Sequence, residues 1–234
     1  MTLLLSGLCS DLYADETNDA FRFELTPYLW AASIEGTTAA GGGESPPIDS
    51  DYNFFALDNL DGVASATFTA RNKQWGFLFD FLYVAYEDTL LESTALQTTP
   101  RLEGTIIELT GAYTPASIDN LEFIAGLRHQ DITISLALPN NRPEQSVTWT
   151  DPFAGIIYTR PLTGNFHMSL RGDLGGFGIE SDMAINAEAM FRYQMSDTFA
   201  IKFGYRYLKV KFKEDVFLYD ISLDGFLLGL GIGF

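Results

Sequence analysis

The chain has 234 residues, enough for one domain or one barrel, and 14% of them are aromatic, with 19 Phe and 11 Tyr. Charged residues make up 19%, against about 25% in ordinary soluble domains, and a net charge of −17 excludes nucleic acid as a natural partner, because phosphate binding needs a basic face. A lone cysteine, Cys9, rules out an internal disulfide or a multi-cysteine metal site, and no apolar run reaches the ~18–20 residues of a spanning helix.

Residues 1–14 read as the remnant of a secretory signal, with the apolar run Met1–Ser10 and a weak cleavage site at Leu12-Tyr13-Ala14. No Lys or Arg precedes the run, as a start codon chosen too far downstream would explain. Leu8 makes Ser6-Gly7-Leu8 a poor acylation box for Cys9. The alternative is a disordered tail. An acidic segment, residues 15–20, follows, and residues 21–234 form the folded part.

In chain order, period-two alternation marks strands, and clusters of Asn, Asp, Gly and Pro mark turns. Phe21–Ile34 is the first strand, with Phe21, Phe23, Leu25, Pro27 and Leu29 opposite Arg22, Glu24, Thr26, Tyr28 and Trp30. The Gly-, Pro- and Asp-rich segment from about Glu35 to Asp61 reads as a long loop, with room for one or two helical turns in Phe54–Leu60. Gly62–Arg71 alternates weakly, and Asn72-Lys73-Gln74 is a tight turn. Trp75–Tyr86 then carries the aromatic stripe Trp75, Phe77, Phe79, Phe81 and Tyr83. A polar stretch from about Glu87 to Glu103 precedes a strand over Gly104–Tyr113, and Thr114–Asn120 turns the chain into Leu121–Ile134. Beyond a loop holding Pro139–Pro143, Val147–Arg160 is a strand in which Pro152 must sit at a bulge or an end. Pro161–Asn165 turns into Phe166–Phe177, Gly178–Asp182 links to Met183–Met195, and Ser196–Thr198 turns into Phe199–Phe212. A loop from Lys213 to about Asp220 opens the last strand.

The end of that strand sets the architecture. Phe226, Leu228, Leu230, Ile232 and Phe234 share one face, while Leu227, Gly229, Gly231 and Gly233 share the other. A water-soluble sandwich would put polar groups on the second face; a membrane barrel puts the large apolar side chains against lipid and the small ones in a crowded interior. The predicted fold is all-β: an antiparallel transmembrane β-barrel of about ten strands, with eight and twelve as the neighbouring even counts. Short connections follow the second, fourth, sixth and eighth strands. Longer ones follow the first, third, fifth and ninth, with the seventh as the exception, and that segregation by end is the membrane-barrel pattern. Both termini then lie on the periplasmic side.

Several segments together resemble a family of uncharacterised outer-membrane β-barrel proteins of Gram-negative bacteria. They are Leu25-Thr-Pro-Tyr-Leu-Trp30, Leu57-Asp-Asn-Leu-Asp61, Ala70-Arg-Asn-Lys-Gln-Trp-Gly76, Asp80-Phe-Leu-Tyr83, Phe203-Gly-Tyr-Arg-Tyr207 and the glycine-alternating C-terminus. The ending on Phe234 is similar to the terminal signature that the barrel-assembly machinery of that membrane reads. The resemblance implies the fold and location in the bacterial outer membrane and supplies no catalytic residues to carry over; outer-membrane lipid and lipopolysaccharide are the expected partners, and no cofactor is expected.

The parity opposite the Phe, Leu and Ile face lists the interior: Arg22, Glu24, Arg71, Asp80, Glu108, Glu122, Arg128, Arg171, Asp173, Glu188, Arg192, Lys202 and Arg206. Acids and bases nearly balance, so the −17 resides mostly in loops and tail, for example at Asp15, Glu16, Asp19, Glu44, Asp49, Asp51, Asp58, Asp61, Glu87, Asp88 and Glu92. Buried charges persist only when paired, and a selective pore shows an excess of one sign. The balanced list therefore reads as an ion-pair network in a plugged or narrow barrel.

Two sets of residues carry the chemistry of catalysis. His167 and Ser169 share a face and Glu188 is placed on the next strand, the residue types of acyl transfer; lipid A deacylases use such a set on a barrel. His129 and Asp131 lie near a loop, as the His and acids of omptin proteases do, but Glu87-Asp88 are adjacent and point to opposite faces, and His129 shares its parity with Phe123 and Leu127. No carboxylate spacing makes a dedicated calcium site. The expected function is that of a non-enzymatic outer-membrane barrel, structural or a porin-like narrow pore for small solutes. The alternatives are a rim hydrolase acting on lipid or peptide and a surface-binding protein using the 35–61 loop.

Overall fold

A computed structural model describes residues 20–40, 48–52, 60–87, 99–137, 144–214 and 217–234. The N-terminal segment with Cys9, residues 53–59 of the expected helical turns, the Pro139–Pro143 loop and the acids Asp15, Glu16, Asp19, Glu44, Asp58, Asp88 and Glu92 lie outside the described residues.

The strands are β1 (Arg22–Ala40), β2 (Ile48–Tyr52), β3 (Leu60–Arg71), β4 (Trp75–Glu87), β5 (Thr99–Tyr113), β6 (Leu121–Ala137), β7 (Glu144–Thr163), β8 (Phe166–Gly175), β9 (Met183–Gln194), β10 (Phe199–Glu214) and β11 (Phe217–Gly233). Each of β3 to β11 pairs antiparallel with the next, and β11 returns to β1 from Glu24↔Gly233 to Ala40↔Phe217. Ten strands thus close a ring, and β2 pairs with β1 alone, from Ile34↔Tyr52 to Thr38↔Ile48. Closure leaves no sheet edge in the wall and satisfies its backbone groups, which lipid demands. The C-terminus is tied in: Phe234 N donates to Phe23 O at 3.0 Å, and the two rings stack 6.2 Å apart.

At one end of the ring the turns are short. Asn72 Oδ1 accepts from Gln74 N at 3.0 Å and Trp75 N at 2.7 Å, and Asn120 and Gly164 take positive φ of 65° and 53°. The opposite, loop end differs from the sequence reading in three places. β1 runs on to Ala40 and β2 occupies part of the 35–61 segment; β5 starts at Thr99; and β10 and β11 extend until only residues 215 and 216 separate them. Pro152 stands inside β7 with its register against β6 unbroken at Leu127↔Pro152. Its missing N–H falls on the β8 side, where that ladder ends at Phe153↔Gly175 and Gly176 N reaches Pro152 O at 3.1 Å. A residue's N and O point to the same neighbour in an antiparallel strand, so the ladder end accommodates proline.

Two storeys of opposite polarity make up the barrel. Around the turn half the outer face is apolar, with Phe23, Leu25, Trp75, Phe77, Phe79, Leu109, Phe203, Phe226 and Leu228 among its exposed residues. On β4 this band runs from Trp75 to Tyr83, close to the ~9–11 residues that a tilted strand needs to cross a bilayer. Several strands are much longer, with 19 residues in β1, 17 in β6, 20 in β7 and 17 in β11. Their extra length carries the wall beyond the band. There the outer face turns polar: Lys209 and Lys211 lie 3.5 and 3.8 Å from Asp220, and Thr133 and Ser146 share a hydrogen bond of 2.7 Å. The interior of this storey is a packed apolar core that includes Trp30, Ile34, Leu82, Ile106, Ile132, Trp149, Leu208, Val210, Phe212, Tyr219 and Ile221.

β8 and β9 have only 10 and 12 residues and stop at the boundary between the storeys. Their connection turns inward: Ser181 is buried and its N–H donates to Asp151 Oδ1 at 3.0 Å. Above that notch, Trp149 of β7 stacks on Phe212 of β10 at 4.7 Å and joins the two flanks.

Candidate functional site

The interior of the turn half holds the charged groups, and register explains their arrangement. Along each strand every second residue points inward, so Glu108, Arg128, Asp173, Asn186 and Arg206 converge from β5, β6, β8, β9 and β10. Glu108 is the hub. Its Oε1 accepts from Arg128 Nε at 2.8 Å and Arg206 Nη2 at 2.7 Å, and its Oε2 from Arg171 Nη2 at 2.8 Å. Asp173 accepts from Arg128 Nη2 at 2.9 Å, and from Arg171 Nε and Asn186 Nδ2 at 2.8 Å each. Asn186 Oδ1 accepts from Arg206 Nε at 2.9 Å, and Arg206 Nη1 lies 3.5 Å from Asp80. Asp80 also accepts from Thr67 Oγ1 at 2.6 Å and Tyr28 OH at 3.1 Å.

In the ring of ten strands, β5 and β10 lie diametrically opposite, so the Arg206–Glu108 pair spans the bore. The guanidinium groups are also covered by rings: Arg128 and Arg171 lie 4.9 and 5.4 Å from the centre of Phe153, and Arg206 lies 5.0 Å from that of Trp30. These cation–π contacts partly replace the water that the cations lose.

Between this layer and the turns lies a cavity of about 440 Å³. Arg22, Glu24, Arg71, Glu122, Glu188, Arg192 and Lys202 line it. Arg71 Nη1 donates to both oxygens of Glu122 across the mouth. Glu24 holds Arg192 Nη1 and Lys202 Nζ at 2.5 Å each, and Lys202 Nζ also donates to Thr26 Oγ1 at 3.0 Å. The glycine face of β11 makes room for these groups: a Cβ on Gly231 would stand 3.0 Å from Glu24 Oε2, and one on Gly229 would stand 3.1 Å from Thr26 Cγ2.

The structure therefore places all thirteen charged residues of the sequence list on the interior side, in two levels. Sequence reasoning left out Tyr28, Asn186 and Asp151. The first two are uncharged and gave no signal beyond parity. Asp151 sits beside Pro152 in the strand whose ends were least defined; its carboxylate accepts from Trp149 Nε1 at 3.1 Å.

The two catalytic sets fare differently. His167, Ser169 and Glu188 all line the cavity. Yet His167 faces Arg192, Ser169 faces Met190, and Glu188 faces Arg171. Glu188 is thus about 13 Å of strand away from the residue opposite His167, well beyond hydrogen-bond reach. Glu188 is therefore not placed to orient that imidazole as acyl transfer requires. His129 and Asp131 lie on the outer face, where His129 Nδ1 is 2.9 Å from Thr150 Oγ1 of the neighbouring strand. Among the described residues no group of His, Cys, Asp and Glu could hold a metal ion.

Similar architecture is found among solved outer-membrane barrels. The outer-membrane protease OmpT of Escherichia coli aligns over 93% of this chain and 99% of its own, with a TM-score of 0.54 and 11% identity. The translocator domain of the autotransporter NalP of Neisseria meningitidis aligns over 94% and 90%, with a TM-score of 0.51 and 12% identity. The attachment invasion locus protein Ail of Yersinia pestis aligns over 93% and 100%, with a TM-score of 0.45 and 10% identity. The likeness to OmpT and to the NalP translocator is one of fold: a closed antiparallel transmembrane β-barrel of ten strands, of the outer-membrane type. No family model matches the sequence, and no curated protein does.

Proposed function

We propose that this chain is a closed, non-enzymatic barrel of the bacterial outer membrane, with its short turns in the periplasm and its second storey standing outside the cell. One observation carries the reading: the Arg206–Glu108 pair crosses the full bore at 2.7 Å, inside a layer whose members are almost completely buried. Opening a path there would strip partners from three arginines at once, and breaking buried pairs costs about 3–5 kcal/mol each. Above it the apolar core offers ions no hydration. The narrow-pore reading therefore gives way to a structural one. The outer storey, to which the β1–β2 hairpin of the 35–61 segment belongs, is the part able to meet lipopolysaccharide or another surface.

Single-channel recording from the refolded chain in a planar bilayer tests this. A folded barrel that inserts and stays silent is expected; stable conductance steps would overturn the proposal.

A further inference from the structure

At the cavity mouth three basic side chains stand in one row: His167 of β8 faces Arg192 of β9, and Arg192 faces Lys202 of β10. Like charges directly opposite each other destabilise a sheet, and Arg192 beside Lys202 is such a pair. One carboxylate serves both, Glu24, at 2.5 Å from each, and Gln194 Oε1 accepts from Arg192 Nε and Nη2 at 3.0 and 2.7 Å. Two cations share that one carboxylate; across the mouth Arg22 faces Arg71, which is paired with Glu122. The row is reachable as well: the side chains of Arg192 and Lys202 keep 20% and 19% exposure and line the cavity.

We propose that this row binds a small oxyanion, a carboxylate or phosphate, that enters the cavity from the turn end. The anion would bridge Arg192 and Lys202, in competition with the Glu24 carboxylate. A guanidinium beside an ammonium offers several converging N–H donors to an oxyanion, and charge-assisted bonds of this kind are the strong ones. Glu188, further in on β9, repels the anion and holds it at the mouth, so binding occurs without passage.

The test is a titration of the full chain, refolded in a zwitterionic detergent at low ionic strength, with inorganic phosphate followed by phosphorus NMR line broadening. Saturable broadening is expected. Lys202→Met and Arg192→Gln should each weaken it roughly 5-fold or more, whereas Glu24→Gln, by freeing both cations, should tighten it roughly 3- to 10-fold. Each variant is first checked for the heat-modifiable mobility of a folded barrel. A cluster with only a structural role would show no gain in Glu24→Gln. Broadening that never saturates, or an unchanged affinity in Lys202→Met, would overturn the proposal. If Glu24→Gln fails to fold, Lys202→Met decides the matter.

Discussion

Strand β10 shows both halves of the molecule in one run of chain. In its first part Phe199, Ile201, Phe203 and Tyr205 face outward and Lys202 and Arg206 face inward; in its second part Lys209, Lys211 and Lys213 face outward and Leu208, Val210 and Phe212 face inward. β11 reverses at the same level, from Phe226 and Leu228 outside to Asp220, Ser222 and Asp224 outside. The backbone period does not change; the solvent does. Against lipid the outer face gains nothing from being polar, and the interior must pair its charges within itself. Against water the hydrophobic effect fills the interior. Ion pairs dominate the interior of one half, beside a small apolar cluster of Leu78, Ala112, Ile124, Phe153 and Ile157, and apolar packing dominates the other.

Substitutions can break that contrast, and the hub should break it most. Glu108→Gln removes the charge shared by Arg128, Arg171 and Arg206, and should cost about 3–5 kcal/mol in urea unfolding from lipid vesicles. Leu208→Ala, at a fully buried site of the outer storey, should cost about 2–4 kcal/mol through the cavity it leaves, with the membrane half intact by proteolysis. On the outer face, Phe203→Lys puts a charge into the middle of the apolar band and should cost about 2–4 kcal/mol in the same assay. Lys211→Ser should cost at most about 0.5 kcal/mol, because its partner Asp220 lies 3.8 Å away and both are wet.

The reversal also explains what the sequence could and could not reveal. Alternation names two faces but not which solvent each meets. Where lipid lies outside, the rule that Phe, Leu and Ile mark the outer wall sorts Lys202 from Phe203 correctly, and the whole charged interior follows. Past Arg206 the same rule inverts: Leu208, Val210 and Phe212 are apolar because they point inward. The segments beyond the boundary at 35–37, 101–103 and 218–219 read as loops in the sequence because their polar outer residues and mixed inner ones break the lipid-type pattern. The core of the outer storey was therefore illegible. Its Trp149–Phe212 stack joins residues from strands that never pair, a long-range contact with no local signal. The catalytic set around His167 failed for a related reason: composition gave the residue types, but register put Met190 opposite Ser169 and carried Glu188 away.

The passage of a single strand from lipid to water between Phe203 and Lys211 is part of the proposed function. It is tested most directly by comparing Phe203→Cys with Lys211→Cys, each in a Cys9→Ser background, in sealed vesicles treated from outside with a charged, membrane-impermeant thiol reagent. Orientation is read from protease digestion of the loop end, and vesicles with that end outward are scored. Lys211→Cys is expected to be modified within minutes, and Phe203→Cys to stay protected until the protein is unfolded. Protection at both positions would put the second storey inside the bilayer, and modification at both would remove the lipid band; either result contradicts a barrel built from two storeys of opposite polarity.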